Sequence, residues 1–392
     1  MSSAPAIQEP AGELAPYSLR ELVWYFLQLG TVGFGGPIAL VGYMQRDLVE
    51  RRRWIALKDY KEGLALAQLA PGPLAAQLAI YLGWLDYGVL GGTLVAIAFV
   101  LPSFLMVLVL SAFYLAYGGL TWMQGAFYGI GAAVIAIIAR STYKLAKSTL
   151  GKDPLLWTLF LVSALVTGWT ERELVWLFVI CGVLALVAKA RLPRTVALAV
   201  VPWPWLLTGL DDPASTSTLW RIATCFAEAG AFVFGSGLAI VPFLHGAVVN
   251  QLQWLTERQF LDAVAVAMIT PGPVVITVAF IGYLVAGPLG GLVAALAVFL
   301  PCYLFVVIPA RYFRRSAHNP RVKAFVDGVT AAAAGAIAGA AFVLGRRAIL
   351  DVPTALILGA VLVIQSRVRG NIEPLIIVAA GAVGIALTGY GL

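Results

Sequence analysis

Long apolar runs, each closed by a few polar or charged positions, make up most of this chain. They can be read at about residues 22–45, 63–84, 88–116, 121–140, 154–169, 173–190, 219–245, 263–284, 288–310, 323–345, 353–366 and 373–391. Several reach the ~20 residues a helix needs to cross a hydrocarbon layer about 30 Å thick, so the expected fold class is an all-α polytopic membrane protein. The runs 154–169 and 353–366 are short and would cross only with help from neighbouring helices. A shorter run, 195–209, is broken at Pro202-Trp203-Pro204-Trp205, and with Asp211 to Thr218 it reads as an interfacial connector.

Composition agrees with the pattern. Hydrophobic residues are 61% and charged residues 11% of the 392, and mean hydropathy is +0.92, far from a soluble globular chain. The 26 Lys+Arg against 19 Asp+Glu sit in short loops and not in one stripe, which excludes a nucleic-acid binder and makes the +7 charge a matter of topology. Cys181, Cys225 and Cys302 lie far apart inside apolar runs, and histidine is limited to His245 and His318. Neither a disulfide nor a metal site is expected, and no cofactor is implied. Residues 1–16 hold Glu9 and Glu13 without Lys or Arg, the wrong charge order for a cleaved signal, so the first apolar run is expected to stay in the membrane.

The chain repeats itself. Shifted by 200 positions, Phe34-Gly35-Gly36-Pro37 meets Phe234-Gly235-Ser236-Gly237, Trp54 meets Trp254, and Pro71-Gly72-Pro73 meets Pro271-Gly272-Pro273. One residue is then lost, after which Gly83 matches Gly282, Pro102 matches Pro301 and Gly129 matches Gly328. A register held this long predicts two structural repeats: a polar segment 1–17, a first transmembrane repeat 18–190, the connector 191–218 and a second repeat 219–392.

Loop charge orients them. Arg46, Arg51, Arg52, Arg53, Lys58 and Lys61 follow the first span, where the second repeat has only Arg258; the bias reverses later, with Arg311, Arg314, Arg315, Arg321 and Lys323 facing a stretch without Lys or Arg from Leu110 to Ile130. Equivalent loops on opposite faces require inverted-topology repeats. The simplest closure makes 63–84 and 263–284 re-entrant and leaves about ten full crossings, with both termini external and Arg346 and Arg347 misplaced outside.

Glycine and proline triplets inside apolar runs free backbone groups that lipid cannot satisfy, so they must face protein or a wet cavity. Pro37, Pro73 and Pro273 are expected to begin half-helices whose N-termini carry about half a positive charge and free N–H groups. Gly35, Gly36, Gly72, Gly235, Ser236, Gly237 and Gly272 would let an oxyanion approach that backbone. The inferred cargo is a small anion bound near the midplane. Close helix packing is the alternative reading, and Gly335 and Gly339 in the small-residue run Ala331 to Ala341 are assigned to it.

Gly33-Phe34-Gly35-Gly36-Pro37 and Pro71-Gly72-Pro73, paired with Phe234-Gly235-Ser236-Gly237 and Thr270-Pro271-Gly272-Pro273, resemble the chromate ion transporter family in its long, two-repeat form over about residues 18–390. The resemblance implies a multi-pass bacterial inner-membrane carrier that exports chromate and confers chromate resistance, with sulfate as competitor and the bilayer as its surroundings. A homodimer is compatible with such a chain.

Gln77 and Thr277, one turn beyond the proline breaks, could hydrogen-bond oxyanion oxygens or simply pack. Replacement of Gln68 by Met268 and Gln77 by Thr277 leaves the repeats unequal as ligand donors. Arg20 and Arg46 are candidates for gating, though Arg46 opens a basic loop and suits interfacial anchoring. Glu228, where the first repeat has Gln28, is a candidate proton-coupling group, with an ion pair to Arg221 as the alternative. Glu62 and Asp262 read as helix-start stabilisers. A sulfate or other tetrahedral-oxyanion carrier and an anion channel are the competing functions. An enzyme is not expected, since neither H-E-x-x-H nor G-x-S-x-G occurs.

Overall fold

A computed structural model describes residues 14–34, 36–117, 121–170, 175–190, 218–232, 240–316, 320–349, 351–368 and 372–389. The connector therefore falls outside the described residues, as do Gly35, Gly235, Ser236 and Gly237. Among the described residues every regular element is helical. The first half contains α1 (Leu19–Val32), α2 (Gly36–Met44) with a π-helical turn at Gln45–Arg51, α3 (Leu57–Leu69), α4 (Leu74–Tyr117), α5 (Thr121–Leu150), α6 (Pro154–Thr170) and α7 (Val175–Ala190). The second contains α8 (Thr218–Phe232), α9 (Ile240–Leu244) with a π-helical turn at His245–Gln251, α10 (Glu257–Ile269), α11 (Thr277–Ser316), α12 (Pro320–Ala348), α13 (Val352–Arg367) and α14 (Glu373–Gly389).

The repeat register recurs in backbone detail. Arg53 and Gln253, related by the same offset, both take positive φ, at 53° and 51°. The halves differ at one tip: the first enters α4 directly at Leu74, whereas the second passes through a 3-10 turn at Val274–Ile276.

The run 22–45 is not one span. It breaks before α2, and the chain beyond α2 returns to α1: Ala15 N–H donates to Arg53 O at 2.9 Å, Tyr17 stacks on Trp54 at 5.2 Å, and Tyr25 Oη reaches Asp47 Oδ2 at 3.5 Å. A second hairpin follows. A Cβ on Gly63 would lie 2.3 Å from the Tyr81 ring, which sets α3 against the start of α4, with Gly72 at the tip midway between them. The bases of both hairpins meet where Tyr87 Oη donates to Tyr17 O at 2.7 Å and the Tyr17 hydroxyl donates to Asp86.

At Gly88 (φ 59°, ψ −148°) α4 turns into a long outer limb, and α11 does the same at Gly287 (φ 64°, ψ −159°). Only glycine suits the sign of φ here. The limbs pack tightly behind the corner, since a Cβ on Gly83 would meet Gly91 O at 2.6 Å and one on Gly282 would meet Gly290 O at 2.4 Å. Ile97, Leu101, Leu105 and Val109 on α4, and Leu292, Leu296, Leu300 and Leu304 on α11, form exposed apolar rows at four-residue spacing, the face a helix turns to lipid. Among the described residues four helices are long and apolar enough to cross a membrane, within Leu74–Tyr117, Trp122–Lys147, Val274–Ala310 and Lys323–Arg346. The protein is a multi-pass membrane protein.

The halves are interlocked. The outer limbs of α4 and α11 pack in opposite directions, with Thr93 Oγ1 2.6 Å from Tyr303 Oη near one end and a Cβ on Gly291 reaching the Leu108 side chain near the other. Helices α6 and α7 pack on α12, while α13 and α14 pack on α5. Gly335 and Gly339 serve the α6–α12 contact, where added Cβ atoms would strike Phe160 O at 2.2 Å and Ala164 O at 2.5 Å. At one end of this bundle Lys189 Nζ sits 2.8 Å from Asp153 and 3.7 Å from Asp327. The same lysine holds the Asp153 carboxyl below its ordinary value.

Candidate functional site

The breaks of the two halves touch. Gly272 N–H donates to Gly33 O at 3.0 Å, so the second-half Pro-Gly-Pro tip rests on the end of α1. Ser103 Oγ on α4 donates to Pro271 O at 2.7 Å, and a Cβ on Gly272 would lie 2.0 Å from that Oγ and 3.6 Å from Gly30 O. With φ at 97°, Gly272 occupies backbone space that other residues rarely adopt. Gly72 (φ 137°) is similarly placed, and a Cβ there would meet Gln77 Nε2 at 2.7 Å and Cys302 Cβ at 3.1 Å.

Ser103 and Cys302 occupy matching positions, each beside the opposite half's glycine, but they act differently. Ser103 caps the tip carbonyl of the second half. At the first-half tip that task falls to Gln77, whose Nε2 donates to Pro71 O at 2.6 Å, while Thr277 donates to Val274 O in its own turn at 2.8 Å. Both side chains are fully buried, so in this structure they hold the tips in shape. Gln77 Oε1 is buried without a hydrogen-bond partner. The donors left for an anion are main-chain ones: the first intrahelical bond of α4 is Gln77 N–H to Pro73 O, which leaves the amides of Leu74, Ala75 and Ala76 without an intrahelical acceptor.

Pro37 lies in the first turn of α2, next to Gly36, whereas Pro73 and Pro273 stand one residue before their helices. The charged candidates are further off. Arg20 is exposed in the first turn of α1, about 18 Å along the helix from its broken end. Arg46 is exposed at the hairpin base, 3.1 Å from Asp47 and over the Tyr43 ring at 5.1 Å. Glu228 is exposed on α8 one turn from its end and makes no ion pair with Arg221. Asp262 is not a helix-start stabiliser: it sits in the second turn of α10, 4% exposed, and accepts from Tyr114 Oη of the first half at 2.8 Å. Sequence reasoning missed Ser103 and Tyr114, and the available signal was the matched Pro102 and Pro301 immediately before Ser103 and Cys302.

The related tips differ in access. At matching positions Gln68 is exposed and Pro71 half-buried where Met268 and Pro271 are buried, while Gly72, Pro73, Gly272 and Pro273 are all buried.

The chromate transporter family model matches residues 20–186 and 220–385, across both of these halves. The chain belongs to the chromate transporter family. This chromate transporter relative is 58% identical over 381 residues to the chromate transport protein of Cupriavidus metallidurans, covering 96% of this chain and 94% of that one. It is 57% identical over 380 residues to a probable chromate transport protein of Synechococcus elongatus, covering 94% and 95%. To the chromate transport protein of Pseudomonas aeruginosa it is 33% identical over 337 residues, covering 82% and 80%. No solved structure matches the chain.

Proposed function

We propose that this protein carries chromate outward across a bacterial inner membrane by alternating access, with the dianion held by main-chain donors at the helix breaks. The contact between Gly33 and Gly272 carries the reading, because it brings breaks of both halves to one place deep in the protein. Each half-helix start contributes about half a positive charge there, and the anion exchanges its water for fixed amides. The names of the relatives at 58% and 57% identity support chromate as the cargo. An inside-negative voltage pushes a dianion outward by roughly 4–5 kcal/mol per 100 mV, which favours export. Sulfate, with equal charge and four oxygens, competes for the same donors. Unequal exposure of the two tips is what one access state of such a carrier should have.

The opposed α4 and α11 limbs support inverted halves. The positive cluster from Arg46 to Lys61 then puts the start of α1 on the cytoplasmic face. After replacement of the native cysteines, Arg53→Cys and Arg258→Cys should label with an impermeant maleimide from opposite sides of the membrane. Labelling from one side would dismiss the inversion.

The transport test is purified protein in liposomes with isotopically labelled chromate. We expect saturable uptake at least about tenfold above protein-free liposomes, suppressed by excess sulfate, with no unitary current in planar bilayers. Unitary currents would make the protein a channel; uptake equal to empty liposomes would end the chromate reading.

A further inference from the structure

We infer that Asp262 is the proton-coupling carboxylate of the transport cycle, with Tyr114 as the partner that sets its affinity for a proton. This rests on the chromate-transport reading and adds to it a coupling ion and a residue. The observation is a buried carboxylate whose hydrogen bond crosses between the halves: Asp262 belongs to α10 of the second half, and Tyr114, 2.8 Å away, to the outer limb of α4 in the first. Alternating access requires the halves to shift against each other, so this bond lies where the two access states must differ. A carboxylate that accepts from a tyrosine is held ionised, and one whose donor has withdrawn into an apolar shell takes up a proton. The shell is apolar: the Tyr114 ring packs edge-on against Phe127 at 5.5 Å and Phe280 at 5.2 Å.

Asp262 also sits on the element that ends at the site. It lies eight residues before Thr270 on α10, about 12 Å from the Pro-Gly-Pro tip. Its charge is thereby coupled through space and through one rigid helix to the anion position. The pairing is not duplicated in the first half, because the position matching Tyr114 is Phe313, which has no hydroxyl. Glu62 is the matching acid, half-buried where Asp262 is buried.

Among the other ionisable groups on the elements around Asp262, Arg258 acts on it through its charge, and the rest are engaged elsewhere or stand apart in sequence. Arg258, one turn earlier on α10, donates to Gln124 O of α5 at 3.0 Å. Glu257 pairs with His245 of the preceding π-helical turn at 2.8 Å. On α5, Tyr128 bonds Asp351 at 2.5 Å, with Arg140, Tyr143, Lys144 and Lys147 further along the helix. Tyr283 on α11, Glu373 in the first turn of α14, and on α4 Tyr117, with Tyr81, Asp86 and Tyr87 before the Gly88 corner, follow, and α11 ends in Arg311, Arg314 and Arg315. The proton step is a simple protonation and deprotonation of Asp262 and needs no further reactant.

The experiment separates exchange from coupling in liposomes holding the full chain, with the voltage clamped by potassium and valinomycin. Wild type should exchange labelled for unlabelled chromate, and an imposed pH gradient should drive net chromate movement that a protonophore reduces at least about tenfold. Asp262→Asn should retain exchange within about twofold and lose the response to the gradient. Asp262→Glu should keep both. Tyr114→Phe should move the pH profile of exchange to higher pH, because the ionised carboxylate loses its donor. A wild type that exchanges chromate but ignores the gradient overturns the proposal. So does Asp262→Asn that still follows the gradient, or that inserts yet loses exchange. If Asp262→Asn does not insert, an unchanged profile in Tyr114→Phe overturns it. A wild type that exchanges no chromate removes the transport reading itself, and the coupling with it.

Discussion

Gly272→Val transporters should insert into the membrane and carry no measurable chromate. Two costs combine at this residue. At φ 97° any side chain is strained by about 1–3 kcal/mol. The new Cβ would also lie 2.0 Å from Ser103 Oγ, displacing a hydroxyl that caps Pro271 O and leaving a buried carbonyl unpaired at about 1–3 kcal/mol. Half of that sum, taken from the binding geometry, lowers the rate about 5- to 150-fold. Most of it falls on the tip, because α10 and α11 on either side have their own helical hydrogen bonds, so insertion is kept. Ser103→Ala alone distinguishes the costs: it removes the cap on Pro271 O without straining the backbone, and should lose only part of the transport. Full labelled-chromate uptake by Gly272→Val, normalised to inserted protein, would show that the break does not form the site.

Gly384→Val should dissociate α14 from α5 and destabilise the protein by about 3 kcal/mol, at the upper end of overpacking costs. Gly384 meets α5 with a Cβ position 2.1 Å from Gly125 O and 2.7 Å from Gly129 N, and Gly129 in turn faces Ala380 O at 2.0 Å. These are backbone atoms, so neither helix can yield by turning a side chain. Within a membrane, where lipid is as apolar as leucine, such close approach supplies most of the attraction between helices. Gly131→Val is the control: it lies on the same helix two residues from Gly129, turned to the opposite side, and has open space around its Cβ position. Its stability should stay within about 0.5 kcal/mol of wild type. Survival of the monodisperse peak in detergent after stepped heating measures both variants. Equal loss in the two would mean that glycine content, and not the contact between halves, matters.

Much of the organisation was open to reading before any coordinates, for identifiable reasons. Apolar run length reports membrane helices because no other element satisfies its backbone in lipid. The offset register placed Gly72 against Gly272 and Pro102 against Pro301 because both halves have to build the same tips and corners. Hairpin folding was harder. The run 22–45 is uniformly apolar and of crossing length, and nothing in its periodicity distinguishes one helix through the membrane from two that turn back at Gly33 to Gly36. The contacts between Tyr25 and Asp47 and between Tyr17 and Trp54 make that distinction, and both depend on residues brought together across the chain.

Side-chain roles were the least legible part. Gln77 and Thr277 share a position in the repeat, yet one caps the carbonyl of Pro71 and the other a carbonyl of its own turn. Asp262 has the sequence signature of a helix-start acid, and only the arrival of Tyr114 from the other half gives it a different environment. By itself the sequence determined a membrane-embedded, two-repeat helical chain of the chromate transporter family with interrupted helices, because hydropathy, repeat register and glycine–proline breaks are local properties written residue by residue. The tertiary structure alone decided which breaks meet, which donor caps which carbonyl and which acid is buried. Those outcomes depend on packing between segments more than a hundred residues apart, and no local pattern encodes it.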